Sequence, residues 1–149
     1  MIIRKAVSED IDNGLLEVFI EGYRYHCHGR PDIFSNKSDD ALNDDLKHMV
    51  PSDNILVIEN NDGKIVGYIA YEIREKHAKT MWVDQLVISE DCRGKGYGRE
   101  LMHKIDEIAK EENCERIELE CWAFNENALG MYEHLGFGEQ RVKLDKKVR

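Results

Sequence analysis

The spacing of apolar residues changes several times along the chain, and each change marks an element. Ile2 to Ala6 is short and apolar and predicts a first strand. Ser8 then stands as an N-cap before Ile11, Leu15, Val18 and Phe19 at helical spacing. Between Gly22 and Ser38 the period fades among aromatics, histidines, Gly29 and Pro31, the composition of a shaped loop. Ser38, Asp39 and Asp40 open a second helix with Leu42, Leu46 and Met49 on one face, and Val50-Pro51 closes it. Asn54 to Glu59 and Lys64 to Ile73 read as strands joined by Asn60-Asn61-Asp62-Gly63, whose Asp-Gly pair marks a hairpin turn. Glu75 to Lys79 is a charged turn, and Thr80 to Ile88 extends the antiparallel meander. From Gly98 the positions Leu101, Met102, Ile105, Ile108 and Ala109 trace the stripe of a helix lying on a core. Arg116 to Trp122 predicts another strand, Glu126 to Leu135 a short helix ended by Gly136, and Gln140 to Lys146 a last strand.

With 149 residues, 42% of them hydrophobic and 34% charged, residues 1–149 suit a single domain with one core. The longest apolar runs, such as Ile55-Leu56-Val57-Ile58, fall far short of the roughly 20 residues that cross a bilayer. The first ten residues lack a signal-peptide pattern, so a cytoplasmic protein without a membrane partner is expected. A net charge of -9 repels phosphate backbones, which argues against nucleic acid and tilts the choice of partner toward cationic small molecules. Cys27, Cys92, Cys114 and Cys121 show no C-x-x-C spacing and read as free thiols. His26-x-His28 has no nearby acid or cysteine to complete a ligand set, and no metal is expected.

The chemistry concentrates where the strand ending Leu86-Val87-Ile88 runs into Arg93-Gly94-Lys95-Gly96-Tyr97-Gly98-Arg99 and a helix begins. Glycines allow positive φ and close backbone approach, and the first amides of a helix lack internal acceptors and carry the positive end of its dipole. Such a turn holds an anion, most naturally a phosphate or pyrophosphate. It is not a P-loop, because no G-x-x-x-x-G-K-[ST] is present. A dinucleotide fingerprint places a third glycine where Arg99 stands, and too little chain follows for a doubly wound sheet.

Arg93-Gly94-Lys95-Gly96-Tyr97-Gly98 resembles [Q/R]-x-x-G-x-[G/A], the acetyl-CoA pyrophosphate loop of the GNAT superfamily of N-acetyltransferases. Asn125 to Phe137 is similar to that family's N-x-x-A-x-x-x-Y-E-x-L-G-F segment, in the expected order and separation. The resemblance covers Ile2 to about Leu144 and implies an α/β fold, with a mixed, mostly antiparallel sheet of six to seven strands flanked by about four helices. It implies acetyl-CoA as cosubstrate. Backbone groups of Leu86, Val87 and Ile88 would bind the pantetheine arm, the amides from Arg93 through Arg99 the pyrophosphate, and Asn125 the arm beyond the next strand. Tyr132 would lie near the sulfur and protonate the departing thiolate.

A lysine-like amine is neutral only about one part in a thousand at pH 7, so its proton must be removed before it attacks. Asp84, Glu118 and Glu120 are the candidate bases, with Asp84 and Glu120 placed in the catalytic set. In the family the acceptor pocket is shaped by the first two helices and their connection, which here suggests Tyr23, His28 and Phe34 as acceptor-binding residues. A small-molecule amine taken up by a monomer or homodimer is the expected partnership. A protein N-terminal or lysine acetyltransferase, a CoA-binding sensor of the same fold and a nucleotide-binding oxidoreductase fragment are the alternatives.

Overall fold

The unbroken apolar run Ile55-Leu56-Val57-Ile58 lies in a strand with helices on both faces, which is why it does not alternate with polar residues. The computed structural model describes residues 1–149 and places five strands in one sheet. They are β1 (Ile2–Lys5), β2 (Asn54–Glu59), β3 (Ile65–Glu75), β4 (Lys79–Ile88) and β5 (Arg116–Leu119), in the order β1-β2-β3-β4-β5. The first four pair antiparallel in succession, and β5 joins β4 in parallel. Helices α1 (Leu15–Gly29) and α2 (Asp39–Ser52) cover one face. On the other face α3 (Tyr97–Glu111) packs through Leu101, Met102, Ile105 and Ala109, joined by Tyr132 and Leu135 from the region of α4 (Glu126–His134).

Local signals set most of these boundaries. Ser38 Oγ accepts from the Ala41 N–H at 3.1 Å and caps α2, whose first turn carries Asp39 and Asp40. The hairpin between β2 and β3 closes on Asn60, whose side-chain oxygen accepts from the N–H groups of Asp62 and Lys64. Buried Asp10 ties β1 to the turn after it by accepting from the Arg4 guanidinium at 2.7 and 2.8 Å and from the Val7 N–H at 2.8 Å.

The structure corrects the expected architecture in three places. The sheet has five strands rather than six or seven, because Gln140 to Lys146 forms no ladder and lies exposed. The expected loop from Gly22 is helical as far as Gly29, so Tyr23 and His28 stand on α1, and only Phe34 belongs to the connection. Ser8 opens a short 3₁₀ turn, Ser8–Asn13, rather than capping the long helix, which starts after Gly14 in a left-handed conformation.

The α1 result has a plain packing cause. Leu15, Val18, Phe19, Gly22, Tyr25, His26 and Gly29 continue one stripe at i, i+3, i+4 and i+7. Its second half is made of glycines, an aromatic and a histidine instead of aliphatics. A Cβ on Gly22 would meet Val87 at 2.9 Å, and one on Gly29 would meet the Phe124 ring at 2.2 Å. Small residues therefore let α1 lie directly on β4 and on the segment after β5.

Candidate active site

Strands β4 and β5 run side by side from Thr80↔Arg116 to Val83↔Leu119 and then separate. At that point β4 carries a bulge: Val83 pairs with Tyr71 and Gln85 with Ala70, which leaves Asp84 without a partner on β3. Gln85 is fixed behind it, since the hydroxyl of buried Tyr68 donates to its side-chain oxygen at 2.7 Å. Burial first, and the nearby Asp84 charge second, raise the Tyr68 phenol well above its usual range, so it stays a donor.

Beyond the bulge β4 keeps its pairing with β3, and Ser89 N–H donates to the Val66 carbonyl at 2.8 Å. Backbone direction alternates along a strand, so Val87 also turns to β3 while Leu86 and Ile88 turn toward the side β5 has left. Their amide groups form an unpaired edge suited to an extended ligand. Arg93 Nε donates to the Ile88 carbonyl on that edge at 3.2 Å. The side chains of Leu86 and Ile88 point the other way and pack in the α3 core, whereas Val87 packs on the α1 side.

The chain then turns through Gly94, at φ 76°, and Gly96, at φ 89°, both left-handed. A Cβ on either would meet nothing within 4 Å, so the glycines line an open concavity rather than a packed turn. Gly96 is the N-cap of α3, and the amides of Tyr97, Gly98 and Arg99 have no acceptor within the chain. Arg93, Lys95 and Arg99 surround them. Free amides, a dipole and three cations suit a pyrophosphate, and the adjacent unpaired edge suits the amides of a pantetheine arm. Gly98 has a different duty, since a Cβ there would stand 3.2 Å from Met131 Sδ, and its absence lets α3 and α4 close together. The Tyr97 side chain likewise packs into the α3 core.

Asn125 lies on the far side of the opening, where its side-chain oxygen caps α4 by accepting from Ala128 N–H at 3.3 Å. The same oxygen accepts from the Tyr25 hydroxyl of α1, also at 3.3 Å. Tyr132, one turn further along α4, is largely buried edge-on to Phe137. Burial and, to a lesser degree, Cys121 push its phenol far above the usual value. The Cys121 thiol is itself raised by burial, which suits a packed side chain and not a nucleophile.

The expected acceptor residues divide. His28 and Phe34 line a surface cavity of about 850 Å³ between α1 and the connection to α2, with Arg24 and Lys37 in the same wall. Tyr23 braces that connection by donating to the Ser35 carbonyl, with Lys37 over its ring. Asp84 lines a separate cavity of about 160 Å³ with Ser52, Asp53, Asn54, Ala70, Tyr71 and Glu72. Glu120 lies one residue past β5, exposed. Ile117 and Leu119 pack on the α3 core, so alternation puts Glu118 and Glu120 on the α1 side of the sheet, where Asp84 and Gln85 also turn at the bulge. Phe34 has two roles, because its ring also meets His26 and Trp122 at 5.4 Å each.

Tyr25, His26, Trp122 and Phe124 complete an aromatic wall beside the opening, with Arg30 over Trp122 at 5.5 Å. These residues are absent from the expected site. The signal that could have found Tyr25 and His26 is their place in the stripe that begins at Leu15; nothing local marks Trp122 or Phe124.

A model of the acetyltransferase (GNAT) family matches residues 19–137. The chain belongs to this family. The uncharacterized N-acetyltransferase YycN of Bacillus subtilis is 26% identical over 99 residues, 66% of this chain and 64% of that protein. The spermine/spermidine N(1)-acetyltransferase of the same organism is 28% identical over 82 residues, 51% of this chain and 54% of that one. The matches thus span about half to two thirds of these relatives. A solved structure of a tetramutant of the BH1408 protein from Bacillus halodurans superposes with a TM-score of 0.91 at 25% identity, covering 99% of this chain and all of that one. The parting of β4 and β5, the bulge at Asp84 and the glycine turn before α3 are therefore features of a GNAT fold.

Proposed function

We propose that the protein transfers the acetyl group of acetyl-CoA to the primary amine of a small cationic metabolite by direct attack. The observation that carries this reading is the bulge that turns Asp84 out of the β4 ladder where β4 and β5 part. It sets a carboxylate at the end of the unpaired edge that suits a pantetheine arm. Bound acetyl-CoA supplies an activated acyl thioester, whose C–S bond breaks as the C–N bond to the amine forms. Leu86 and Ile88 hold the arm through backbone groups on one side and Asn125 holds it on the other. The amides from Tyr97 to Arg99 hold the pyrophosphate. Asp84 accepts the proton that the acceptor ammonium must lose, and Tyr132 holds a proton for the departing sulfur. A phenol pushed upward by burial keeps that proton at neutral pH.

The Asp84 cavity adds Asp53 and Glu72, and of the three carboxylates only Glu72 is tied up, by Arg74. That lining favours a cationic acceptor, as does the net charge of -9. A Bacillus subtilis relative named for spermine and spermidine supports the same class.

Thermal unfolding with acetyl-CoA, CoA and NAD, followed by thiol release against a panel of amines, tests the reading. Ligand at a hundredfold over its Kd adds about 2.7 kcal/mol to stability. A shift with acetyl-CoA together with release driven by di- and polyamines is expected. A shift without release across the panel would point to a protein acceptor or a sensor, and a shift with NAD alone would overturn the cofactor.

A further inference from the structure

The last twelve residues are an unfinished part of the fold. No backbone hydrogen bond involves any residue after Phe137, and Gly138 to Arg149 are all exposed. Yet this segment has the pattern of a strand. Val142 is 67% exposed, Leu144 87% and Val148 85%, and their even spacing sets them on one face. A soluble chain that leaves these side chains in water has not buried them within one copy.

The sheet has a matching vacancy. β5 pairs only with β4, and its outer edge carries no ladder. The charges of the two segments are opposite: residues 140–149 contain five Lys or Arg and one Asp, while residues 111–120 contain five Glu and one Arg. Within one copy the tail does not reach that edge. Phe137 is held against Tyr132, and the chain arrives at β5 with Gln140 donating to the Glu118 side chain at 3.2 Å. Glu118 projects from the face of the sheet, since Ile117 and Leu119 on either side of it pack in the α3 core. The tail then continues across that face to Asp145, which pairs with Arg30 at 2.8 Å. Gln140–Glu118 and Arg30–Asp145 are exposed side-chain contacts, the kind that hold a segment weakly.

We propose that residues 140–146 are exchanged between two copies of the chain, each tail adding to the outer edge of β5 in its partner as a sixth strand. A segment arriving from a second copy meets the edge without the restraint at Phe137. The exchange is symmetric, so both edges and both tails are satisfied at once. Lys143 and Arg141 then face the glutamates around β5, and Val142 and Leu144 are covered between the copies. The proposal rests on the sheet edge and the tail, so it stands or falls independently of the reaction.

Light scattering on the eluting full-length protein tests it at micromolar concentration. The expected mass is twice 17.3 kDa, with the amides of Val142 and Leu144 exchanging slowly with deuterium. Val142→Lys combined with Leu144→Lys should give a monomer whose far-UV spectrum is unchanged. These positions are exposed within one copy, so the fold itself tolerates the change. A monomeric parent protein, or a dimer that survives the double substitution, would overturn the proposal. Fast exchange at Val142 and Leu144 in a dimer would do the same.

Discussion

The Tyr25 hydroxyl donates to the side-chain oxygen of Asn125 at 3.3 Å, joining the middle of α1 to the cap of α4 across 100 residues of sequence. Tyr25 also lies under the Arg93 guanidinium at 5.8 Å. One ring thus touches both flanks of the proposed cofactor slot, the Asn125 side and the glycine-turn side. The acceptor wall and the cofactor slot share this residue.

Asn125 has two partners to lose, and its removal should show it. Asn125→Ala is expected to destabilise the protein by about 1 kcal/mol through the lost cap. It should also weaken acetyl-CoA about tenfold, equal to about 1.4 kcal/mol. Tyr25→Phe removes one half-exposed hydrogen bond and should leave stability within about 1 kcal/mol of the parent. Calorimetric titration and thermal melts on both variants check this. Unchanged acetyl-CoA affinity in Asn125→Ala would remove that residue from the slot.

Gly96 holds its left-handed φ in open space, so a side chain there strains the backbone without a clash. Gly96→Ala should cost about 1–2 kcal/mol in folding. It should also lower acetyl-CoA affinity more than Gly63→Ala, which has a similar φ in the distant hairpin. Equal affinities in the two variants would argue against the turn as an anion site.

Tyr132 and Asp84 are expected to separate in kinetics. Tyr132→Phe should lower kcat roughly a hundredfold or more with acetyl-CoA affinity nearly intact. The raised phenol stays protonated below and somewhat above its ordinary value near 10, so it should impose no alkaline fall in kcat before about pH 10. Asp84→Asn should lower turnover by a similar factor, since it keeps the shape of the bulge and removes the proton acceptor. Full turnover in either variant would sink that assignment.

Stability should fall in acid through Asp10. Burial alone would raise its carboxyl, but the Arg4 guanidinium and the Val7 N–H outweigh burial and hold it below the usual value. The folded form therefore binds fewer protons than the unfolded one. The stabilisation is complete above the unfolded value of about 3.9 and is lost as pH falls through the lower folded value. Asp10→Asn should reduce stability by roughly 1–3 kcal/mol at pH 7 and flatten the acid limb of a melting series. An unchanged acid limb would show that other carboxylates dominate.

Gly29 tests the aromatic wall. A Cβ there would overlap the Phe124 ring, so Gly29→Ala should push the ring aside at about 1–3 kcal/mol. The acceptor KM should rise while acetyl-CoA affinity changes little; the reverse pattern would place the wall on the cofactor side.

Much of this protein is written in short-range signals. The alternation of β2 and β3, the Asp-Gly hairpin, the Ser38 cap and the stripe of α3 are decided by residues a few positions apart, and each element formed where its pattern lies. The glycine turn before α3 is equally local, because positive φ and free helix-terminal amides depend only on nearby backbone. Tertiary structure decided the rest. Gly22 and Gly29 belong to a helix because Val87 and Phe124, distant in sequence, need the space that their missing side chains leave. Asp84 leaves the ladder through a mismatch of register between two strands, which neither strand shows alone. Gln140 to Lys146 has the pattern of a strand, but a strand also needs a partner edge within reach, and Phe137 and Glu118 hold this one over the face of the sheet.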